Sequence, residues 1–221
     1  MSERLLGAIV ANHGDDKGLV MPPSVAPIQV VVIPIISKDD SSTVTSESER
    51  ITKELKSNGI RARLDSRDIR PGQKYYDWEI KGVPLRIEIG PRDLANNSVM
   101  CARRTGGKKS YPLENLVDTV RSELKTISSE MNKQSSNYFN SRIKPLPNFK
   151  REGSTLVFDQ DIEKGIVYEM AFNGNDAEAE LIEKNTNLSF LGDSTTSFDS
   201  DVQCCITGKK TKRRVFLAKT Y

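Results

Sequence analysis

The feature that most constrains the fold is the apolar run at residues 28–35, IQVVVIPI. β-branched side chains dominate this run, and hardly any polar residue interrupts it. Such a composition is typical of a strand that is covered on both faces of its sheet. A predicted helix over 46–57 and a second predicted strand over 60–66 follow it. This strand–helix–strand order indicates parallel pairing through a right-handed crossover.

A third predicted strand, residues 83–89 (VPLRIEI), alternates between two kinds of side chain. Its odd positions are apolar, and its even positions are Pro84, Arg86 and Glu88. Alternation of this kind places one row against a core and the other row on the opposite face. We therefore expect a polar row, carrying Arg86 and Glu88, to face away from the core.

The next elements complete one domain. A short helix is predicted over 71–82 and a strand over 98–104, followed by a glycine turn and a last strand in KKSYPLE. Apolar residues at spacings of three and four then predict a long amphipathic helix. Its expected buried stripe is Leu116, Val120, Leu124, Ile127 and Met131. The predicted fold class is therefore α/β, with a mixed five-stranded sheet and flanking helices.

The remainder of the chain predicts a smaller α+β domain. Residues 135–152 are polar and interrupted by prolines, which is typical of a connector. The expected elements beyond it are strands at 155–158, 166–171 and 215–219, a helix near 176–185, and a loop over 193–201.

The composition restricts the function classes. No apolar run approaches the roughly 20 residues needed to cross a bilayer, so we expect no membrane partner. Three cysteines, two of them adjacent, cannot form a disulfide framework, which favours a reducing cytoplasm. The 33 basic and 30 acidic residues leave a net charge of +3, so any nucleic-acid surface must be local. A single histidine argues against a histidine-based hydrolase.

Charged residues gather around the third predicted strand. Glu79 comes just before it, and GPRD at 90–93 follows it with Arg92. The glycine turn is flanked by Arg103, Arg104, Lys108 and Lys109, a cationic loop suited to phosphates. Carboxylates beside guanidiniums suit the reading of base edges, because Glu accepts from exocyclic amino groups while Arg donates in a fork. The alternative is an ordinary solvated face without a ligand.

Two stretches carry a specific resemblance to a known family. HGDDKGL at 13–19 is followed by PP-x-VAP-x-QVVV-x-P, and WE-x-KG-x-P-x-R-x-E-x-GPRD ends at residue 93. In these strings the chain resembles prolyl-tRNA synthetase of the archaeal and eukaryotic type, a class II aminoacyl-tRNA synthetase. The resemblance covers almost the whole chain, densely through its first half and thinly afterwards.

The resemblance implies three parts. Residues 1–27 resemble the end of the class II catalytic domain, where SER at 2–4 matches the third class II motif and implies that Ser2 and Arg4 bind ATP. Residues 28–132 resemble the anticodon-binding domain, and residues 133–221 the connector and the C-terminal domain. The residues that fall where the family contacts the proline anticodon are Glu79, Arg86, Arg92 and Lys108. No catalytic residue is implied within this chain.

The resemblance also bears on metal binding. Many members hold a structural zinc through four cysteines in the C-terminal domain. Here Asn173, Glu178 and Thr207 stand at ligand positions, and only Cys204 or Cys205 matches a ligand. We therefore expect no zinc, and we expect both cysteines to be packing residues. The terminal tyrosine, Tyr221, does match the family, whose C-terminal end folds back toward the catalytic domain.

The implied function is that of a proline–tRNA ligase, which attaches proline to its tRNA with ATP and Mg as cofactors. The expected partners are proline tRNA, proline and ATP, and the full-length enzyme is expected to be a cytoplasmic homodimer. Most of the catalytic domain is expected upstream of Met1, so the isolated chain should recognise the anticodon without catalysing the ligation. The alternative is a non-catalytic tRNA-binding module derived from a synthetase.

Overall fold

The computed structural model describes residues 3–36 and 41–220. The chain divides into two compact units, Met1–Ser135 and Ser136–Tyr221. Ser2 and Tyr221, which the sequence singled out, lie outside the described residues. Among the described helices, none is long and apolar enough to cross a membrane.

The first unit contains a five-stranded sheet with helices on its faces. In chain order the elements are α1 (Glu3–His13), β1 (Val30–Pro34), α2 (Ser41–Ser57), β2 (Ala62–Leu64), α3 (Pro71–Ile80), β3 (Leu85–Ile89), α4 (Pro91–Ala95), β4 (Ser98–Arg103), β5 (Lys108–Pro112) and α5 (Leu116–Ser141). The sheet order is β2-β1-β3-β4-β5. Strand β1 pairs in parallel with β2 and β3, whereas β3, β4 and β5 pair in antiparallel order. The mixed five-stranded α/β sheet predicted from the sequence is confirmed.

One face of the sheet carries the main core. The odd positions of β3, such as Ile87, belong to it together with Val30 and Val32 of β1. Helices α2 and α5 cover this face with Ile51, Leu55 and the whole predicted apolar stripe of α5. Removing this apolar surface from water is the main term that holds the unit together.

The opposite face is shared between apolar packing and charged side chains. Val31 and Ile33 of β1 pack with Trp78 of α3 in a smaller cluster. In the strand register Val31 lies beside Arg86, and Ile33 lies beside Glu88. Helix α3 therefore covers part of the face that carries the polar row, so this face is only partly open to solvent.

The second unit is a small α+β fold around a four-stranded sheet. Its elements are β6 (Ile143–Pro145), β7 (Phe149–Glu152), β8 (Thr155–Phe158), β9 (Val167–Ala171), α6 (Asp176–Thr186), β10 (Ser189–Asp193), β11 (Val202–Gln203), β12 (Lys210–Thr211) and β13 (Arg214–Ala218). The main sheet has the order β10-β13-β9-β6, and β7-β8 and β11-β12 form two-stranded sheets. Tyr168, Ile182 and Leu217 are buried in its own core.

The segment 135–152, predicted as a connector, contains the end of α5 and the strands β6 and β7. The apolar stripe of α5 ends at Met131, so hydrophobic periodicity carries no signal for its last turns. Strand β7 has three exposed residues out of four, which hides the pattern of a half-buried strand.

Candidate nucleic-acid interface

Four charged residues, Glu79, Arg86, Glu88 and Lys108, form a group that we call the charged cluster. Its central member is Glu88 of β3, a buried carboxylate. The residue is 5% exposed, although the sequence predicts it on an open polar row. Its carboxylate accepts a hydrogen bond from Arg86 Nε at 3.0 Å and another from Lys108 Nζ at 2.7 Å. Burial alone would raise the pKa of Glu88, but these two cations lower it below its ordinary value. Glu88 is therefore ionised at neutral pH.

The strand register explains how Lys108 reaches Glu88. Ala102 of β4 lies opposite Arg86 on one side and opposite Lys108 on the other. Neighbouring strands lie about 4.8 Å apart, so only a small side chain separates the two cations across the sheet. The methyl group of Ala102 leaves the space that the lysine side chain crosses.

Arg86 is held from a second side by an aromatic ring. Its guanidinium lies 3.9 Å from the centroid of the Tyr75 ring, a cation–π distance. Burial raises the pKa of Tyr75 above its ordinary value, and the negative charge of Glu88 raises it further. Tyr75 therefore stays neutral, and Arg86 keeps one fixed orientation with its side chain 20% exposed.

Glu79, at the last turn of α3, is the second carboxylate of this cluster. It lines, together with Arg86, Trp78 and Val83, a cavity of about 50 Å³. Its side chain is 32% exposed, and its Oε1 lies 3.8 Å from Lys17 Nζ. An exposed pair at this distance is weak, so the carboxylate remains able to accept hydrogen bonds from a ligand.

The predicted site residues divide between several elements. Arg86 and Lys108 share Glu88, and Glu79 shares a cavity with Arg86. Arg92 lies exposed on α4 and, among the described residues, takes no part in these contacts. Lys108 follows the turn at Gly106–Gly107, and half of its side chain is exposed.

The expected cationic loop is only partly present. Arg103 is bound to Glu123 and Glu130 of α5. Arg104 is almost completely buried and is paired with Asp15. These two arginines are therefore structural partners of carboxylates, and the accessible cations at this turn are Lys108 and Lys109.

Comparison with known proteins places this geometry in a family. Residues 29–123 match the family described as "Anticodon binding domain". Across 96% of its length the chain is 40% identical to a proline–tRNA ligase of Methanocorpusculum labreanum, of which it covers 44%. Across its whole length it is 39% identical to a proline–tRNA ligase of Thermococcus kodakarensis, of which it covers 46%. A proline–tRNA ligase of Methanosphaera stadtmanae is 38% identical and is also covered to 46%.

Over almost its whole length, the chain is similar to a part of proline–tRNA ligases. It spans about half the length of the curated relatives that it matches. The matched anticodon-binding region includes β1 to β5, and thus includes Glu79, Arg86, Arg92 and Lys108. Arg4, for which the family resemblance implies ATP binding, lies exposed on α1 outside this region, and Ser2 is not among the described residues.

Two residues that the structure places in or against this cluster were not predicted as part of it from the sequence. Glu88 was assigned only to a polar row, because a sequence does not show that two cations converge on one carboxylate. Tyr75 could have been found, since it lies four positions before Glu79 on α3 and therefore on the same helical face. Its contact with Arg86 then follows from the packing of α3 on β3.

The residues that the sequence resemblance aligned with zinc ligands make other contacts here. The backbone N–H of Asn175 donates to Glu178 Oε2, and the backbone N–H of Glu178 donates to Asn175 Oδ1, which caps α6. Burial alone would raise the pKa of Cys204, but hydrogen bonds from the Thr207 hydroxyl and nearby backbone N–H groups lower it. Cys204 is buried, whereas Cys205 is exposed and is not a packing residue. In the described parts of the chain, no three His, Cys, Asp or Glu residues converge to hold a metal ion.

Proposed function

We propose that this chain recognises the anticodon of proline tRNA within a proline–tRNA ligase. The observation that carries the proposal is the charged cluster, in which Glu79 and Arg86 line one cavity and Arg86 and Lys108 share the buried Glu88. It supplies one accessible acceptor and two oriented cationic donors on a single face of the matched anticodon-binding region. The similarity to proline–tRNA ligases supports the assignment to proline tRNA.

The chemistry of the anticodon fits this arrangement of charges. Proline codons begin with two cytosines, so the complementary anticodon carries two adjacent guanines. A guanine offers N–H donors on its Watson–Crick edge and the O6 and N7 acceptors on its other edge. Glu79 accepts from the donors, and Arg86 and Lys108 donate to the acceptors or to a neighbouring phosphate. Arg92 on α4 contributes a further cation to the same tRNA.

The proposal extends to the reaction of the whole ligase. The full-length enzyme is a cytoplasmic homodimer that activates proline with ATP and Mg²⁺ and transfers it to the tRNA. In that reaction Ser2 and Arg4 contact ATP, where a guanidinium stabilises the charge of the triphosphate. No metal other than Mg²⁺ is assigned.

Binding of tRNA tests the proposal directly. The affinity of the chain for proline tRNA is compared with its affinity for the same tRNA with either anticodon guanine replaced by adenine. E79A and K108A are each expected to weaken binding of the unaltered tRNA about tenfold, the value of one charge-assisted hydrogen bond. E79A is also expected to reduce the preference for guanine, because its carboxylate is the acceptor. The control is E47Q on α2, whose carboxylate pairs with Arg50 on the helix surface. Unchanged affinity and unchanged base preference in E79A and K108A would refute the site.

A further inference from the structure

An arginine outside the charged cluster, Arg104, clamps the loop after α1 onto the end of α3. Its side chain is 3% exposed, and its Nη1 donates to Asp15 Oδ2 at 2.8 Å while Nη2 donates to Asp15 Oδ1. The hydrogen bonds from Arg104 are the main reason that the pKa of Asp15 falls from 3.8 to about 2. The pair is thus a two-point fork between ionised groups, which has a fixed geometry.

The same guanidinium binds the backbone of Glu79. Arg104 Nε donates to the carbonyl oxygen of Glu79 at 3.1 Å. The same carbonyl also accepts from the backbone N–H of Gly82 at 2.9 Å, so Arg104 adds a side-chain contact to a backbone bond that already closes the end of α3. The backbone N–H of Arg104 also donates to Pro84 O at 2.9 Å, which ties the same residue to the chain just before β3.

The loop from Gly14 to Met21 follows the end of α3 closely. The N–H of Leu19 donates to Ile80 O at 3.0 Å, and the N–H of Met21 donates to Gly82 O at 3.1 Å. Gly18 has φ +123, and a Cβ built there would lie 2.7 Å from the Cα of Ile80. Only glycine allows this approach. Hydrogen bonds therefore join the loop to the end of α3, and Arg104 binds to both.

We propose that Arg104 and Asp15 are positioning residues that set the place of the Glu79 carboxylate at the anticodon. Arg104 holds the peptide that carries Glu79, and Asp15 holds the guanidinium of Arg104 in the orientation that this bond needs. The loop after α1 thereby contributes to base selection without contacting the tRNA. This inference rests on the proposed function, because it takes Glu79 to be a base-contacting residue.

A purely structural role of Arg104 and a positioning role predict different experimental results. A purely structural role would change the free energy of unfolding and leave tRNA affinity and base preference unchanged in the folded protein. A positioning role acts through Glu79, so its effect on binding must disappear when the Glu79 carboxylate is absent. A double-mutant cycle between the two residues separates these cases.

The experiment measures the affinity of the full chain for proline tRNA and for the adenine-substituted tRNAs in four proteins: wild type, R104K, E79A and R104K/E79A. Lysine keeps the charge of Arg104 but cannot bind Asp15 and Glu79 O together. We expect R104K to weaken binding of the unaltered tRNA about threefold to tenfold, and to reduce the preference for guanine. In the E79A background, R104K should change the affinity less than twofold.

D15N is the second variant, and it decides the outcome if R104K does not fold. Asparagine keeps one acceptor for Arg104 but loses the fork, and the side chain of Asp15 is already 47% exposed. D15N is expected to weaken binding in the same direction as R104K, again only when Glu79 is present. The matched control is R61K, because Arg61 also clamps a loop through backbone carbonyls, those of Pro23, Ser24 and Ala26. R61K should leave tRNA affinity unchanged.

The outcomes distinguish failure of the inference from failure of the proposed function. If E79A binds and discriminates like wild type, the proposed function fails, and the inference fails with it. If E79A loses affinity but R104K and D15N do not, only the positioning role is refuted. If R104K weakens binding equally with and without the Glu79 carboxylate, its effect does not pass through Glu79, and the positioning role is again refuted.

Discussion

At the scale of single residues, Glu88 is the charged group of the cluster with the least solvent contact. Its side chain is 7% exposed, compared with 20% for Arg86 and 50% for Lys108. A buried carboxylate with two cationic partners is strongly held, and removing its charge removes the ionic partner that the two cations share. Glu88 therefore orients the groups that we propose to contact tRNA, although it is itself too deep to contact a base.

A charge-neutral substitution at Glu88 tests this orientation. E88Q keeps the shape of the side chain but removes its charge, so Arg86 and Lys108 lose their common ionic partner. We expect affinity for proline tRNA to fall about tenfold while the far-ultraviolet circular dichroism stays that of the wild type. Affinity is measured by fluorescence titration, and E47Q is again the control. Wild-type affinity in E88Q would contradict the proposed role of Glu88.

A second residue-scale prediction concerns acid stability. Burial alone would raise the pKa of Asp65, but hydrogen bonds from Arg67 and from Trp78 Nε1 lower it; the pKa of Asp15 falls to about 2. A carboxylate with a lowered folded pKa adds stability that is fully present above its unfolded pKa and is lost as pH falls through the folded value.

We therefore expect the free energy of unfolding to be level from neutral pH down to the ordinary carboxylate range and to decrease below it. Urea unfolding across a pH series measures this change. In D65N the decrease should be smaller than in the wild type, because one of the shifted groups no longer titrates. An equal decrease in D65N would show that Asp65 is not a source of the acid sensitivity.

At the scale of elements, the strongly patterned segments were predictable and the charged partners were not. The apolar run of β1, the alternation of β3 and the stripe of α5 predict their elements because burial imposes a period on the sequence. The pairing of Arg104 with Asp15 joins residues that are far apart in the chain and that carry no periodic signal. For the same reason, the sequence indicated charged residues around β3 but not which of them are buried.

The alternation of β3 makes a prediction about stability. Ile87 is fully buried in the main core. I87A is expected to lower the free energy of unfolding by roughly 2–5 kcal/mol, the range for large-to-small substitutions in a core. I36A is the matched control, since Ile36 is 50% exposed, and it should change stability by less than about 0.5 kcal/mol. Denaturant unfolding measures both, and equal effects would contradict the described core.

Two glycines at helix ends provide a matched test of the loop contact. Gly59 and Gly82 both have positive φ, +79 and +68. A Cβ at Gly59 meets no atom within 4 Å, whereas a Cβ at Gly82 would lie 2.6 Å from Leu19 O. G59A should cost about 1 kcal/mol for its backbone conformation alone.

G82A carries the same conformational cost and an additional clash with the loop after α1. We therefore expect it to be clearly more destabilising than G59A in denaturant unfolding. If the two substitutions cost the same, the close approach of Leu19 to Gly82 is not present in solution.

At the scale of the whole molecule, the two units have separate cores. Ile87 belongs to the core of the first unit and Ile182 to that of the second. The charged cluster lies entirely in the first unit. Stability of the second unit and affinity for tRNA should therefore be separable properties.

Calorimetry combined with tRNA titration tests this separation. I182A should lower the unfolding temperature of one transition and leave tRNA affinity within a factor of two. I87A should lower the other transition. A single transition shifted by both substitutions would show that the units unfold together.

The placement of Arg86 and Glu88 on β3 has a consequence for how sequences in this family can diverge. Because side chains alternate along a strand, deleting one residue between Leu85 and Ile89 would reverse the facing of the residues on one side of the deletion, so that charged side chains turn into the apolar interior and isoleucines turn outward. Substitutions that keep each position apolar or charged preserve this alternation, whereas changes of length do not. The glycine turn at 106–107, where an added Cβ meets no atom within 4 Å, has no such restriction. Insertions among natural homologues should consequently be frequent in the turn and absent from the strand.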